Sequence, residues 1–158
     1  MSRFLLLLIL LMQLSGCSLF GHKDKKDTPT LLTYSLVATD SINPNISGNA
    51  TPIEIQVFEL EDDSMFLSAD FDQLATDAQK VLKSNYLEQR DYVLLPGQFK
   101  FVEPFEVNKK TFYIGVMAHF ADPNTSDWKK VVKIEPVNKQ FHLLMYFNDQ
   151  AVNLDKVE

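Results

Sequence analysis

The chain has 158 residues, of which 46% are hydrophobic, and its 15 basic and 21 acidic side chains give a net charge of −6. This length is enough for one domain with a buried core, and the acidic balance argues against nucleic acid or anionic lipid headgroups as direct ligands. The single cysteine excludes a disulfide bond within the chain.

Residues 1–17 have the pattern of an export signal. Arg3 is a short positive region, residues 4–12 form an unbroken apolar run, and Ser15-Gly16 supplies small side chains before a cleavage site. A transmembrane helix needs about 20 apolar residues, roughly twice this run. Leu14 stands where an ordinary signal has a small residue, and Leu14-Ser-Gly-Cys17 resembles a bacterial lipobox. We therefore expect cleavage after residue 16 and lipid on Cys17.

The residues after Cys17 predict a spacer between the membrane and a folded domain. Residues 18–30 are mostly Gly, Lys, Asp, Thr and Pro, so the sequence predicts a lipidated cysteine and flexible tether over 17–30. In lipoproteins of the enteric type, Asp after the cysteine favours retention at the inner membrane. Ser18 therefore indicates a lipid anchor in the outer membrane, on its periplasmic face.

Residues 31–158 are predicted to form one mainly β domain. Apolar and β-branched runs separated by turn formers predict about eight strands, at 31–40, 53–60, 92–95, 99–107, 112–120, 128–134, 141–147 and 152–154. Their close spacing favours an antiparallel β-sandwich. Phe58 and Leu60 interrupt the alternation of the second run, which indicates a shift of register and a bulge. Pro96-Gly97 is interpreted as the turn of a hairpin.

One helical segment, at about 62–85, interrupts the strands. Apolar residues recur there at helical spacing, and Asp70 with Gln73 resembles a capping box. The residues predicted to face the core are Phe71, Leu74, Ala75, Ala78 and Leu82. We expect the helix to cover a core rather than to form a docking face.

The loop at 41–51 is dense in turn formers. Its polar or backbone-restricting residues are Asn43, Pro44, Asn45, Ser47, Gly48 and Asn49. Ile46 is an apolar side chain for which a solvated loop has no need. The residues by themselves favour a plain surface loop with Ile46 folded back on the sandwich, and the alternative is a binding loop with Ile46 as its anchor.

The sequence offers weak support for catalysis. His22 lies in the tether, His119 and His142 lie in apolar strands, and no spacing of Cys, His or carboxylates matches a metal set. The acidic run at 61–63 lacks the alternating ligand spacing of a calcium loop and is interpreted as a solvated turn. The sequence therefore predicts no catalytic residue, metal or cofactor.

Six motifs in order cover nearly the whole predicted mature chain. After the lipobox they are Asn43-Pro-Asn-Ile-Ser-Gly48 with Pro52, Val57-Phe-Glu-Leu60, Phe66-Leu-Ser-Ala-Asp-Phe71, Leu95-Pro-Gly-Gln98, and Tyr113-Ile-Gly-Val-Met-Ala-His-Phe120 followed by Trp128. Together they resemble the TssJ family, also called VasD or SciN, of outer-membrane lipoproteins of the bacterial type VI secretion system. The resemblance implies a transthyretin-like antiparallel β-sandwich of two four-stranded sheets, with a small helical insertion after the second strand.

The resemblance also implies a structural, non-enzymatic role. Members of this family bind the periplasmic C-terminal region of the inner-membrane protein TssM and, with TssL, form the trans-envelope membrane complex. The family places much of the TssM contact on the loop between the first two strands, so it favours the binding interpretation of residues 41–51. The partner-binding residues implied here are Asn43, Pro44, Asn45, Ile46, Ser47, Gly48 and Asn49.

Strand direction extends the predicted site. If successive strands run antiparallel, the loops after strands one, three, five and seven emerge at the same end. The loops after strands three and five would then flank residues 41–51 as a rim, which includes Pro96, Gly97, Gln98, Asp122, Asn124 and Asp127. Two alternatives remain, namely a small-ligand-binding or assembly-assisting periplasmic lipoprotein with a pocket, and a periplasmic enzyme with titratable groups in a cleft.

Overall fold

The structure, a computed structural model, describes residues 27–157. The strands are β1 (Leu31–Ala38), β2 (Ile53–Leu60), β3 (Tyr86–Leu94), β4 (Phe99–Glu106), β5 (Tyr113–Ala118), β6 (Lys129–Lys133), β7 (Gln140–Asn148) and β8 (Ala151–Val157). Two helices, α1 (Ser64–Ser68) and α2 (Phe71–Leu82), lie between β2 and β3 and are followed by a 3-10 turn at Lys83–Asn85. The predicted order of eight strands and the helical insertion are confirmed, but the third strand, predicted at 92–95, begins earlier, at Tyr86.

The strands form two four-stranded sheets. Sheet 1 has the order β4-β1-β7-β8 and sheet 2 the order β3-β2-β5-β6. One pairing differs from the antiparallel prediction, because β1 and β7 run parallel along their whole shared length. The physical reason is connectivity. The chain leaves β1 for the other sheet, so the hydrogen-bonding partners of β1 are β4 and β7 rather than its sequence neighbour β2, and β7 runs in the same direction as β1.

The main core lies between the two sheets. Alternate residues of β1 face inward, with Leu32, Tyr34 and Leu36 fully buried. They belong to the same cluster as Val116 of β5 and Leu143 of β7. Burial of each aliphatic side chain of this size contributes about 1.5–3 kcal/mol, so the core can hold the sandwich together without a disulfide.

The helices cover the outer face of sheet 2. Asp70 and Gln73 form the predicted capping box, and Leu74, Ala78 and Leu82 are buried in a second apolar cluster. Ala75 is exposed, which differs from the prediction. The buried positions keep a four-residue spacing through a break at Asp77, whose backbone is not helical and whose carboxylate accepts the Lys80 amide at 3.1 Å. This narrow face leaves Ala75 outside it.

This second layer explains the apolar pattern of β2. Phe58 and Leu60 pair with β5 in unbroken register, so they do not turn toward the main core. They face the helices and belong to the second cluster. A register irregularity is present, but it lies in the pairing of β2 with β3, between Glu59 and Leu60. Two buried faces, rather than a shifted face, account for the lost alternation.

Lys129 attaches the helices to the sheet edge. Its Nζ donates hydrogen bonds to the backbone carbonyls of Phe66, Leu67 and Ala69, at 2.9, 2.7 and 2.6 Å, where α1 ends. The last carbonyl groups of a helix receive no hydrogen bond from a following turn, so a cation beside the helix C-terminus is favourable. The predicted role of the helices as a cover for a core is therefore confirmed.

Two predictions about connections are wrong. Pro96-Gly97 does not form a hairpin, because β3 belongs to sheet 2 and β4 to sheet 1, and the turn carries the chain between the sheets. The tether also ends earlier than Thr30. Thr30 is fully buried and donates to the Pro136 carbonyl at 2.9 Å, and Pro29 forms a bridge with Val137. Residues 28–30 therefore belong to the domain.

Candidate functional site

Four connections meet at one end of the sandwich, which we call the loop end. They are the β1–β2 loop (39–52), the β3–β4 loop (95–98), the β5–β6 loop (119–128) and the β7–β8 turn (149–150). The Gly97 amide donates to the Thr39 carbonyl at 3.0 Å, and the Ala121 amide donates to the Asn43 side chain at 2.7 Å. The structure thus brings the predicted rim loops beside residues 41–51, and their contribution to binding stays a prediction.

The tip of the β1–β2 loop is closed by hydrogen bonds centred on Asn45. Its side-chain Oδ1 accepts the amides of Ser47 and Asn49 at 2.9 and 3.0 Å. Its backbone exchanges bonds with Asn49 and Gly48, at 2.9 and 2.8 Å. Gly48 has φ +78°, a conformation that glycine adopts without strain. These bonds define one conformation for the tip.

Ile46 projects from this tip and is completely exposed, with a relative accessibility of 108%. The alternative in which Ile46 folds back on the sandwich is therefore wrong. Ile42 makes that contact instead, since it is fully buried in the main core. The sequence contained a signal of this arrangement, because the loop has two isoleucines and one of them can cover the end of the core without the other.

Asn43 is buried beneath the tip, with only 6% of its surface exposed. Its Nδ2 donates to the Thr51 hydroxyl and the Pro52 carbonyl, both at 2.9 Å, and its Oδ1 accepts the Ala121 amide. Both ends of the Asn43 side chain are therefore used within the protein, whereas Asn45 uses its Oδ1 to close the tip. A loop that leaves the core must satisfy its own backbone groups.

The rest of the loop end differs from the tip in charge. Residues 41–51 carry no charged side chain, whereas Asp40, Asp122 and Asp149 around them are exposed. Asp127 forms an ion pair with Lys130, and the amide of Asn124 donates to Asp122 at 3.1 Å. The site is an uncharged projection with an acidic surround.

Two exposed apolar residues flank the β3–β4 loop. Leu95 and Phe99 are 56% and 61% exposed, and they lie on either side of Pro96, Gly97 and Gln98. The Gln98 side chain accepts the Leu95 amide at 2.8 Å. We did not predict their exposure, although a sequence signal existed: Leu94 and Leu95 are consecutive, and the period of a strand allows only one of them to face the core.

The histidines in the described chain have structural partners. The His142 ring contacts the hydroxyls of Thr33 and Ser35 at 2.7 and 3.2 Å. The His119 ring contacts the Gln56 amide oxygen at 3.0 Å, and burial lowers the pKa of His119. Within residues 27–157, no cluster of three or more His, Cys, Asp or Glu could hold a metal ion.

The acidic run at 61–63 acts as a helix-leading turn. The Asp62 carboxylate accepts hydrogen bonds from the backbone amide and the hydroxyl of Ser64, and these bonds lower the pKa of Asp62. A surface depression of about 350 Å³ lies on sheet 1, away from the loop end, and it is lined by Leu31, Thr33, Pro104, Gln140, Phe141, His142 and Val157. Polar and apolar side chains both line this depression, which is the kind of site that the small-ligand alternative would require.

The predicted signal peptide, the lipobox and Cys17 lie outside the described residues. From residue 27 to 157, the protein has no helix with the length and apolar character required to span a bilayer. The described chain begins at the end of the sandwich opposite the loop end, where β1 starts.

Comparisons with known proteins agree with this fold. The structure resembles the crystal structure of the type VI secretion lipoprotein TssJ1 from Pseudomonas aeruginosa, with 27% identity over 83% of this chain and 98% of that one, and a TM-score of 0.78. It also resembles Serratia marcescens Lip, a membrane-bound component of the type VI secretion system, with 23% identity over 81% and 97% of the two chains and a TM-score of 0.68.

A third similar chain comes from a structure of the type VI secretion protein TssM C-terminal domain from EAEC, with 22% identity over 80% of this chain and 98% of that one, and a TM-score of 0.65. No curated protein sequence matches the chain. The sequence model that describes the type VI secretion lipoproteins VasD, EvfM and TssJ matches residues 30–155. The chain therefore belongs to this family of type VI secretion lipoproteins.

Proposed function

We propose that this structural component of the type VI secretion system binds the periplasmic C-terminal region of TssM through its β1–β2 loop and has no enzymatic activity. The observation that carries the proposal is the completely exposed Ile46 on a hydrogen-bonded tip. Exposure of an apolar side chain to water is unfavourable, and on a loop held in one conformation a partner must bury that side chain to remove the cost.

The size of that gain fits a central contact. Full burial of an isoleucine side chain contributes about 1.5–3 kcal/mol, which corresponds to about a tenfold to hundredfold change in Kd. The tip also avoids part of the entropic cost of ordering a loop on binding, because Asn45 already orders it. Since residues 41–51 are uncharged, their contact should depend weakly on salt.

Three further features support the identity of the partner and the absence of catalysis. A chain with the same fold comes from a structure of a TssM C-terminal domain. The motif at residues 43–48, which the family resemblance places at the TssM contact, is the segment that projects here. His119 and His142 contact the neutral groups of Gln56, Thr33 and Ser35, as expected for structural residues.

The anchor belongs to the same proposal. Lipid on Cys17 would hold the protein at the periplasmic face of the outer membrane, as Ser18 indicates, and TssL would join the same assembly through TssM. The ten residues from Cys17 to the described domain can span up to about 35 Å. Because the domain begins opposite the loop end, such a tether would leave the β1–β2 loop facing away from the anchor.

The test is Ile46→Ala. We expect the Kd for the purified periplasmic C-terminal region of TssM, measured by isothermal titration calorimetry, to rise about tenfold or more. The midpoint of thermal unfolding should not change, because Ile46 makes no buried contact.

The matched control is Leu67→Ala on α1. Leu67 is also an exposed aliphatic residue, at 51%, but it lies on the helical layer rather than at the loop end. Its replacement should leave the Kd unchanged. A Kd that is the same in the wild-type, Ile46→Ala and Leu67→Ala proteins would contradict binding through the β1–β2 loop.

A further inference from the structure

We infer that Asn43 is a positioning residue for partner binding, which sets the direction in which the tip presents Ile46 without itself contacting the partner. This inference rests on the proposed binding through the β1–β2 loop. It assigns to Asn43 a role different from that of a contact residue. The argument begins with the burial of Asn43, which leaves 6% of the residue accessible to a partner.

The first part of the geometry is the base of the loop. The Asn43 side chain donates to the Thr51 hydroxyl, and that hydroxyl donates back to the Asn43 carbonyl at 2.6 Å. The Thr51 amide also donates to the Ile42 carbonyl at 3.2 Å. Residues 44–50 are therefore closed at their base by a pair of side chains, and the tip can tilt only if these bonds break.

The second part is the connection to two other segments. Asn43 Oδ1 accepts the Ala121 backbone amide at 2.7 Å, and the backbone amide of Asn43 donates to the Asp149 carbonyl at 2.8 Å. One residue thus bonds the β1–β2 loop to both the β5–β6 loop and the β7–β8 turn. The Asn43 side chain, with one acceptor and two donor hydrogens, bonds to the Ala121 amide, the Thr51 hydroxyl and the Pro52 carbonyl together, and among the neutral side chains only Asn has this set at this length.

The third part is the backbone. Asn43 has φ +48°, in the left-handed region that Asn tolerates better than most residues other than glycine. This conformation turns the chain outward directly after the buried Ile42. Ile46 follows three residues later and is fully exposed, so its direction depends on the bonds of the tip and on those of Asn43 and Thr51 at the loop base.

Two substitutions separate the hydrogen bonds from the backbone conformation. Asn43→Asp keeps the size and the acceptor for Ala121 but removes both donor hydrogens. Asn43→Gly removes the whole side chain and permits φ +48° without strain. We expect both variants to raise the Kd for the periplasmic C-terminal region of TssM about tenfold, measured by titration calorimetry well below the unfolding temperature.

A second readout distinguishes positioning from a general loss of stability. Hydrogen exchange of the Ala121 amide should accelerate in Asn43→Gly, since that amide loses its acceptor, while exchange in the β1–β7 ladder stays slow. A loss of global stability by itself would accelerate hydrogen exchange both at Ala121 and in the β1–β7 ladder. Such a loss would barely change the Kd while the domain remains folded.

The control is Thr111→Val at the opposite end of the sandwich. Thr111 is fully buried and donates to Glu59 at 2.8 Å, so its replacement should lower stability without changing the Kd. If the Asn43 variants bind as tightly as Thr111→Val, the inference is overturned. If Ile46→Ala also binds with unchanged Kd, the proposed function fails as well, whereas weakened binding by Ile46→Ala alone rejects only the role of Asn43.

Discussion

Each end of the sandwich contains a buried polar residue with several hydrogen-bond partners, and these two residues differ in charge. At the loop end Asn43 bonds three connections to one another, through its neutral side-chain amide and through its backbone amide. At the opposite end the Glu59 carboxylate is 2% exposed and accepts from Arg90 at 2.7 Å, and from the Asn108 amide and the Thr111 hydroxyl at 2.8 Å each.

The partners of the two residues explain their different roles. Arg90 lies on β3 of sheet 2, and its guanidinium is 4.0 Å from the ring centre of Phe105 on β4 of sheet 1. The Glu59–Arg90 pair therefore helps to hold the two sheets together. Loss of one partner would leave a buried charge unpaired and lower the free energy of unfolding, so the opposite end contributes mainly to stability. The loop end contains no such buried charge, so changes around Ile46 should affect stability less.

The strongest test of this difference is Arg90→Met. We expect it to lower the free energy of unfolding by about 3 kcal/mol, because it leaves the buried Glu59 without its counter-ion. Urea denaturation measures the change. Glu88→Gln is the control, since Glu88 is an exposed partner of Arg90 at 3.4 Å and its loss should change stability by about 0.5 kcal/mol or less. Partner binding by folded Arg90→Met should equal that of the wild type, and a weakened complex would contradict the separation of the two ends.

A smaller effect is expected for Gly97→Ala at the loop end. Gly97 has φ +72°, and a Cβ there would overlap the Asp40 carboxylate, so we expect a loss of about 2 kcal/mol from strain and displacement together. Gly48→Ala isolates the strain, since Gly48 has φ +78° with no atom within 4 Å of the added Cβ. It should cost about 1 kcal/mol. Equal unfolding midpoints for the two variants would show that Asp40 moves freely and that the β3–β4 loop is loosely packed.

The smallest expected effect is a pH dependence at the loop end. Burial lowers the pKa of His119 below its ordinary value of 6.5, with Glu54 and Asp91 opposing the shift. The unfolded chain therefore binds more protons than the folded protein as the pH falls through 6.5, and stability decreases in that direction. Replacement of His119 by Gln, which keeps a polar group near Gln56, should flatten the profile of unfolding midpoint between pH 7 and 5. An unchanged slope would exclude His119 as its source.

Several elements could be predicted from local pattern because the signal lies within a few residues. The capping box of Asp70 and Gln73 and the alternation of Ile53, Ile55 and Val57 each depend on neighbours in the chain. The candidate loop could also be identified by composition. Its internal contacts could not, since Asn43 bonds to Ala121 and Asp149, which are distant in sequence and become neighbours only when both sheets have formed.

The failed or incomplete predictions concern places where one pattern fits two tertiary arrangements. Pro96-Gly97 fits a hairpin or a crossing between sheets. The apolar residues of β2 predicted an irregularity, which is present in the pairing with β3, but not the second covered face that accounts for their burial. Of the two isoleucines in the loop, only packing decides that Ile42 is buried and Ile46 exposed.

The sequence by itself predicted a lipobox, which lies outside the described residues. It determined a mainly β domain with one helical insertion and a polar loop with an apolar residue, because these features depend on composition and short-range periodicity. Only the tertiary structure decided the parallel pairing of β1 and β7, the attachment of the helices through Lys129, and the closure of the loop base by Asn43. Those features depend on which distant segments meet, and the free energy of their contacts exists only once the sheets have packed.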